Sequence, residues 1–585
     1  MNVSTRNLNR FVVFILSFLL IVFASACQMQ QKGRKPAPDW SRGLPVGVFV
    51  RGDIDLVVEP DGALTYFVWL TEDEEGYSQV QYEVLDETAV SQTSHLLDIP
   101  ATQIRYPRLV LSNNDAIHLL WSTREENERN WDLWYGQLDE DGNFQGEPIR
   151  LAASEDGVMS YDVVSDGAGG LFVVWDKGAD DMIAGVQIGA DGTNLQPEQD
   201  LAAGASPSIQ VDETGSLYMT WLSGNDVTYA QWPDGELETA VPTIITTFPD
   251  NTSGRLDGPE LGVAGEWGYI LWSFYYSSGL EAGSAVSEYV AFPLDEPQLT
   301  IPQQITISSA EEQTYVDYMG VYNLTKLAPP SGVRGNTNFI REPKATTGRG
   351  NELAVALTMS QDFRLNAFVQ VATALFKDGN YIGYQIAGKT EAFSQKPILA
   401  TDDNGDLYMA WRDGGRGTLA YYALTTDFGQ DALNRMEVND FATVAMNGGI
   451  EVIAGMLFFP LACVWLVPGF LIIGLYHFWK GESDMKEPAT IILLVISIAV
   501  SQAMKFMFLP TIMTYVPFSA WLDIPTGWHS AMIVIVPGLT TVIGLLFAWF
   551  MHKRTESGLA FFFWFTAIDA ILTLAIYGVN FLGVF

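Results

Sequence analysis

The 585-residue chain is poor in cysteine, histidine and basic side chains. It has 2 Cys and 5 His, and 31 Lys and Arg stand against 69 Asp and Glu, which gives a net charge of −38. The acid excess lies in residues 43–440, a region that also contains no cysteine and therefore holds no disulfide. Because an acidic surface repels phosphate backbones, nucleic-acid binding is not expected.

The chain also lacks the short motifs of common enzyme classes. His95 and His118 are the only histidines before residue 441, and no group of His, Cys and Asp has the spacing of a zinc site. No nucleophile elbow, phosphate-binding loop or dinucleotide fingerprint occurs in a suitable context. We therefore expect no catalytic residues, no metal and no cofactor, and a binding role rather than an enzymatic one.

A repeated phrase that ends on tryptophan fills two thirds of the chain. A polar turn with Asp or Asn and Gly comes first, and a short apolar run leads to the Trp, as in 402–411, 212–221 and 166–175. The phrase recurs about every 50 residues, a period typical of β-propeller blades. One degenerate copy has Leu357 in the Trp position. The six tryptophans are Trp69, Trp121, Trp175, Trp221, Trp272 and Trp411.

Each repeat predicts about four short strands, which make one propeller blade. Asp-Gly and Asn-Gly pairs between alternating runs are hairpin signals, since Gly accepts positive φ. The interval from Trp272 to Leu357 is longer than the others, but by less than a blade. We therefore predict an all-β propeller of seven blades over residues 45–432, with eight blades as the alternative. The repeat tryptophans are expected to pack between neighbouring blades.

The Trp phrase resembles the repeat of sialidase-like, or BNR-type, propellers. In an enzyme of that family the resemblance implies three arginines that grip a carboxylate, a Tyr nucleophile and an acid pair. No unit here has the spacing of the family's Asp box, Ser-x-Asp-x-Gly-x-x-Trp, which disfavours an exported carbohydrate-active enzyme. Arg–Asp pairs on the blade rims are the other interpretation of the arginines near blade strands. These arginines are Arg105, Arg108, Arg341 and Arg412.

Residues 273–340 are the least regular part of the predicted propeller. A long loop over a propeller face is suited to recognition, and Tyr combines a large contact area with a polar tip. The tyrosines of this insertion are therefore candidate ligand-binding residues. The alternative is that they belong to strands of extended hairpins. The candidates are Tyr275, Tyr276, Tyr315, Tyr318 and Tyr322.

Residues 1–27 resemble a bacterial lipoprotein signal. A basic start and an apolar run from Phe11 to Phe23 lead to Ala24-Ser25-Ala26-Cys27. The resemblance implies cleavage before Cys27 and lipidation of its side chain. Cleavage by an ordinary signal peptidase and an uncleaved anchor are the alternatives. Residues 28–44 are then a polar tether to the propeller.

A linker, 433–449, leads to a predicted all-α domain of four transmembrane helices, 450–585. Basic residues lie in the loops between the first and second and between the third and fourth apolar stretches. By the positive-inside rule these two loops are cytoplasmic, so the propeller and the C-terminus are expected outside a bacterial cytoplasmic membrane. The stretches, each long enough to cross about 30 Å of hydrocarbon, are roughly 450–476, 488–510, 529–551 and 558–582.

Three ionisable residues stand within these stretches, where a charge is costly. Counting ~1.5 Å per residue places Asp569 near mid-bilayer, level with Thr540, and Lys505 near the outer edge beside Glu451. We expect a Glu451–Lys505 pair, with Asp569 hydrogen-bonded between helices. A relay or coupling site is the alternative.

These features predict a membrane-anchored extracytoplasmic propeller that acts as a binding or scaffolding module, within a larger envelope complex. Its expected partners are membrane lipid and a protein or glycan outside the cell. One alternative is an exported sialidase-like carbohydrate-active enzyme. Another is a transport or signalling subunit that works through its transmembrane helices, for which Asp569 is the support.

Overall fold

The computed structural model describes residues 36–434, 459–508 and 529–577, with short gaps in the first range. The described chain forms two compact units, one of strands and one of helices. Cys27, Glu451, the predicted signal and most of the predicted linker lie outside the described residues. The gaps are 74, 113–115, 126–129, 154–156, 179, 191, 193–196, 213, 234, 236, 250–253, 280, 309–314, 319–321, 326–336, 349–350, 364–365, 389, 391–392 and 415–418.

The first unit is built from antiparallel strands and one short helix. In the first three sheets and the strand before them, the strands are β1 (Leu44–Gly47), β2 (Ile54–Val58), β3 (Leu64–Glu72), β4 (Ser78–Asp86), β5 (Ser91–Leu96), β6 (Gln103–Leu111), β7 (Ile117–Arg124), β8 (Asp132–Leu138), β9 (Ile149–Ala152), β10 (Val158–Ser165), β11 (Leu171–Lys177), β12 (Met182–Ile188) and β13 (Gln199–Ala203). In the next two they are β14 (Ala205–Val211), β15 (Leu217–Ser223), β16 (Asp226–Trp232), β17 (Thr243–Thr247), β18 (Arg255–Ala264), β19 (Trp267–Tyr275), β20 (Ala285–Pro293) and β21 (Gln303–Gln304). The last two and the helix comprise β22 (Tyr315–Tyr318), β23 (Tyr322–Thr325), β24 (Ile340–Thr347), β25 (Leu353–Phe363), β26 (Asn366–Lys377), β27 (Asn380–Ile386), β28 (Ser394–Thr401), β29 (Leu407–Asp413), β30 (Leu419–Leu424) and α1 (Asp427–Leu433).

Seven sheets form the blades, and their order along the chain confirms the predicted seven-bladed propeller. Five blades are plain four-stranded meanders, from β2–β5 to β18–β21. The seventh blade combines β28, β29 and β30 with β1, so the start of the strand unit completes its last blade. Each innermost strand lies beside the innermost strand of the next blade, and β28 lies beside β2, which closes the ring.

The sixth blade accounts for the long interval before Leu357. Part of the insertion forms the hairpin β22–β23, which adds two strands to the outer edge of that blade through Thr325 and Tyr384. The hairpin β25–β26 is also longer than its counterparts. The extra residues therefore widen one blade and do not make an eighth.

The polar turn of the repeated phrase is held by its first Asp. Asp212 Oδ1 accepts hydrogen bonds from the N–H groups of Thr214 at 2.8 Å and Ser216 at 3.0 Å. Gly215 in the same turn has a φ of 85°, which a side chain would disfavour. Tyr218, in the apolar run that follows, donates its hydroxyl to Asp212 Oδ2 at 2.7 Å. The phrase is thus a capped turn that starts the second strand of a blade.

The repeat tryptophans lie in the second strand of their blades and are nearly fully buried. Trp175 packs with Leu133 and Tyr135 of the preceding blade and with Val186 of its own. Leu357, the residue of the degenerate copy, is also fully buried. The core of the propeller is therefore a series of interfaces between blades, each centred on one large apolar side chain.

Residues 36–43, part of the expected tether, pack against the propeller. Trp40 is buried with Leu399 and Trp411, and its indole N–H donates to Gln385 Oε1 at 3.2 Å. The N–H of Arg42 donates to Asn434 Oδ1 at 3.0 Å, which ties the two ends of the strand unit together. Residues 36–43 therefore belong to the propeller and not to the tether that was expected over residues 28–44.

The described part of the second unit contains four helices that are long and apolar enough to cross a membrane, as predicted. The turn between the first and second helices and the turn between the third and fourth meet at one end of the unit, where Lys486 and Glu556 form an ion pair at 3.1 Å. Both predicted cytoplasmic loops therefore lie at the same end of the bundle. The helices are α2 (Phe459–Lys480), α3 (Pro488–Phe508), α4 (His529–Thr555) and α5 (Gly558–Tyr577).

Candidate functional site

The innermost strands of six blades begin with a bulge, and the bulges define one face of the propeller. In five blades the bulged residue precedes a proline and has positive φ, for example 50° at Tyr106, 61° at Glu342 and 52° at Lys396. We call this face the bulge face, and the opposite one, which carries the Asp turns, the turn face. Bulges re-aim side chains and are common next to binding sites. The five bulged residues are Tyr106, Ser206, Gly258, Glu342 and Lys396.

Just behind the bulges, side chains of the innermost strands hydrogen-bond from one blade to the next. Asp55 Oδ2 accepts from the N–H of Leu109 at 2.8 Å, and Asp162 Oδ2 accepts from the N–H of Ile209 at 2.9 Å. Two further bonds have the same placement, from the N–H of Leu261 to Ser208 Oγ and from the N–H of Ala345 to Glu260 Oε1. These carboxylates therefore satisfy backbone donors, which is a structural role.

Basic side chains stand among these carboxylates. Arg108 lies 3.6 Å from Asp55, and Lys344 lies 2.7 Å from Glu260. Burial raises the pKa of Asp55 above its usual value, although Arg108 opposes the shift. Burial also works against the charge of Arg108, but Asp55, Asp162 and Glu260 outweigh it and hold the pKa of Arg108 above its usual range. The centre of the propeller is therefore a set of paired charges.

The bulge face itself carries charged pairs and arginines stacked on aromatic rings. Lys396 pairs with Asp53, and Arg341 donates to Asp257 at 2.8 Å. The guanidinium carbon of Arg341 also lies 5.0 Å from the ring centroid of Tyr275. The cation–π contact and the ion pair together hold Arg341 in place at this face.

In the second blade, two arginines stack on the indole ring of Trp131. The guanidinium carbons of Arg105 and Arg124 lie 4.0 Å and 4.6 Å from the ring centroid of Trp131. Burial lowers the pKa of Arg105, and the neighbouring Arg124 lowers it further. Sequence reasoning did not single out Trp131, because it lies outside the repeated phrase. The signal that could have identified Trp131 is an aromatic residue directly before the third strand of a blade.

The structure places the tyrosines of the insertion in or beside strands of two blades. Tyr275 ends β19, and Tyr276 follows it directly. Tyr315, Tyr318 and Tyr322 belong to the hairpin β22–β23 on the outer edge of the sixth blade, where the structure describes their backbone. Of these five residues, Tyr275 makes a described contact with a charged side chain of the bulge face. The expected loop over a propeller face is therefore a blade extension where it is described.

The four arginines named from the resemblance have separate surroundings. Arg108 and Arg341 pair with Asp55 and Asp257, while Arg105 donates to the carbonyl groups of Val158 and Met159. Arg412 lies in β29 of the seventh blade. Among the described residues, no three His, Cys, Asp or Glu side chains are grouped to hold a metal ion.

The helical unit contains a polar cluster that crosses three helices. Lys505 Nζ donates to Asp569 Oδ1 at 2.7 Å and to Thr540 Oγ1 at 2.9 Å. Gln502 donates to Asp569 Oδ2 at 3.1 Å and accepts from Thr541 at 2.8 Å. We call these five residues of α3, α4 and α5 the intramembrane cluster. Every charge in it has an opposite charge or a hydrogen-bond partner within the cluster.

Lys505 lies opposite Asp569, a partner that the sequence analysis did not assign to it. Counting residues from Pro488 placed Lys505 close to the outer edge, beside Glu451, which lies outside the described residues. Side chains on a helix point towards its N-terminus, and a lysine stem reaches about a helical turn in that direction. The ammonium group therefore meets Asp569 deeper in the bundle than the position of its backbone suggests.

Comparison with known proteins yields similarity of shape without similarity of sequence. No family model matches the chain, and no curated protein matches its sequence. An ulvan lyase, described as a new family of polysaccharide lyase, has a TM-score of 0.43 at 9% identity, covering 68% of this chain and 99% of that one. A second polysaccharide lyase has a TM-score of 0.40 at 10% identity, covering 67% and 98%. A protein of unknown function from Dyadobacter fermentans has a TM-score of 0.35 at 8% identity, covering 65% and 98%.

Proposed function

We propose that this protein is a bacterial envelope protein whose propeller binds a protein or glycan ligand outside the cytoplasmic membrane. In this account the four helices anchor the propeller, and the bulge face carries the ligand site. The observation that carries the proposal is the row of bulges, which presents side chains of both charges beside arginines stacked on Trp131 and Tyr275.

Exposed apolar side chains on the bulge face add a second support. Phe49 is 63% exposed, Met159 58% and Phe393 47%. Met159 and Phe393 lie at or just before the start of an innermost strand, and Phe49 lies between β1 and β2. Exposed aromatic groups, methionine and arginines are typical of recognition surfaces.

Affinity purification of the full chain from detergent-solubilised membranes tests this proposal. A variant with Phe49→Asn, Met159→Ser and Phe393→Ser removes the exposed apolar groups of the bulge face, and Asn tolerates the φ of 59° at position 49. We expect partners that co-purify with the native protein to be lost from this variant.

The matched control carries Val241→Ser and Ile301→Ser, which are 85% and 84% exposed outside the bulge face. This control should retain the same partners as the native protein. Equal recovery of partners by all three proteins, or a loss only in the control, would contradict the assignment of the site to the bulge face.

A transport or signalling role through the helices is the second candidate. It is favoured by one observation, the buried ion pair of Lys505 and Asp569. Ionisable residues inside membrane helices often mark functional sites. The proposal predicts that Asp569→Asn leaves the protein assembled but abolishes the activity of the complex to which it belongs.

A further inference from the structure

The helices of the membrane unit form two hairpins, α2–α3 and α4–α5. The most extensive helix–helix contacts in the unit are those within each hairpin, between α2 and α3 and between α4 and α5. The interface between the hairpins has three parts at different heights. Their chemistry differs, and the differences decide which part can open.

At the end with the two short turns, main-chain hydrogen bonds join the hairpins. The N–H of Gly558 donates to the carbonyl of Ser483 at 2.7 Å, and the N–H of Met485 donates to that of Glu556 at 3.1 Å. Ser483 Oγ also accepts from the N–H of Leu559 at 3.2 Å. Because these bonds involve backbone of both turns, this joint is the fixed part of the interface.

The middle part is apolar and connects mainly α2 to α5, with Leu494 of α3 and Ala548 of α4 at its side. Phe470 and Phe562 meet edge to face with ring centroids 4.9 Å apart. Further from the turns, Trp465 is fully buried with Ala570 and Leu574. Met504 of α3 packs against the same group.

The intramembrane cluster is the third part, and it joins α3 to the other hairpin. Among the described residues of α3, Gln502 and Lys505 are the two whose side chains hydrogen-bond to α4 or α5. Ser501, next to them, has a buried hydroxyl group without a hydrogen-bond partner in the described structure. At the height of the cluster, α3 is therefore joined to α4 and α5 by few polar contacts, while Leu494 gives it apolar contact nearer the turns.

Helix α4 is interrupted beside the cluster. Pro537 lies inside it and cannot donate a backbone hydrogen bond, which weakens the helix at that turn. The hydroxyl groups of Thr540 and Thr541 lie 2.9 Å and 2.8 Å from the carbonyl of Pro537. The two threonines thus connect the interrupted turn of α4 to Asp569 and Gln502.

We propose that the intramembrane cluster is a latch that holds the two hairpins closed, and that its release is a conformational step of the membrane unit. In the closed state Lys505 and Asp569 neutralise each other. In the open state the hairpins part at the cluster while the main-chain joint keeps them together at the other end. Apolar side chains would hold the helices without a desolvation cost, so a charged pair at this place is suited to a contact that forms and breaks.

Hydrogen exchange of the full chain in lipid nanodiscs tests the latch. The variant Asp569→Leu removes one charge of the latch and leaves the Lys505 ammonium without its counter-charge. Exchange should rise by about ten-fold or more in the stretches around the cluster, 497–507 and 534–545, because water gains access when the latch is absent. The joint, 483–490 and 556–562, should exchange as in the native protein.

Ser497→Ala is the matched control, since Ser497 is buried in α3 and donates within its own helix to Leu493. It should exchange as the native protein does. Native exchange in Asp569→Leu would overturn the proposal, because apolar packing alone would then keep the hairpins closed.

A general rise that includes the joint would mean that Asp569→Leu has lost its fold. Asp569→Asn then decides, because its amide oxygen can still accept from Lys505 while the negative charge is removed. A smaller rise confined to the stretches around the cluster supports the latch, and no rise there overturns it.

Discussion

Lys505 Nζ lies 2.7 Å from Asp569 Oδ1, and the side chains of the two residues are 0% and 1% exposed. This pair connects α3 to α5, and Thr540 adds α4. Removing one member of a buried pair leaves an uncompensated charge, whereas removing both does not.

Asp569→Leu is therefore expected to destabilise the membrane unit by about 3–5 kcal/mol, since it leaves the Lys505 ammonium without its counter-charge. Adding Lys505→Met to this variant should recover much of the loss. Thermal unfolding of the native protein, both single variants and the double variant in one detergent measures the coupling. Additive effects of the two substitutions would show that the pair does not act as a unit.

Trp175→Ala should destabilise the propeller by about 3–5 kcal/mol, because the side chain fills the interface between two blades. Urea unfolding of the fragment 36–434, which includes the packed residues around Trp40, measures the loss. Tyr77→Ala is the control, since Tyr77 is 42% exposed. If both substitutions cost the same, Trp175 does not have the core role assigned to it.

His118 should make the propeller less stable in acid. It is fully buried between Tyr135 and Ser112, and burial lowers its pKa from 6.5 to about 4. The unfolded chain therefore takes up a proton at a pH where the folded one does not, so stability falls as the pH drops from 6.5 towards 4.

The loss from this one residue reaches about 3 kcal/mol once the pH is below both pKa values. Unfolding by urea at a series of pH values measures it, with His118→Gln as the comparison. The variant should lack this part of the pH dependence. An identical slope in the native protein and the variant would exclude His118 as its source.

Cys27 carries the prediction of lipidation, which the described residues do not reach. Metabolic labelling with a fatty-acid analogue should tag the native protein, and Cys27→Ser should abolish the tag. Cys463→Ser, which changes the other cysteine of the chain, should leave it intact. An untagged native protein would favour cleavage by an ordinary signal peptidase.

Most of the propeller fold could be predicted from the repeated phrase. Its Asp turn and its terminal Trp recur once per blade, because each blade needs a tight turn and a large side chain against its neighbour. The bulges before Pro207 and Pro397, in contrast, depend on the register of the first strand with the second. Register is a property of paired strands, and single-strand patterns do not contain it.

The site was less accessible to sequence reasoning than the fold. Arg105, Trp131 and Arg124 belong to three segments that meet only when the blade forms. Lys505 and Asp569 were both identified as unusual, but their pairing depends on how α3 and α5 cross and on the reach of the lysine stem. Hydropathy locates such helices without giving their contacts.

Site-specific photo-crosslinking in intact cells tests the central claim most directly. A photoreactive phenylalanine analogue is placed at Phe49 or Phe393 on the bulge face, or at Val241 or Ile301 elsewhere, all of which are exposed. The account predicts covalent adducts from the two bulge-face positions and none from the other two. Adducts only from Val241 or Ile301, or from no position at all, would contradict the claim that the propeller binds its ligand through the bulge face.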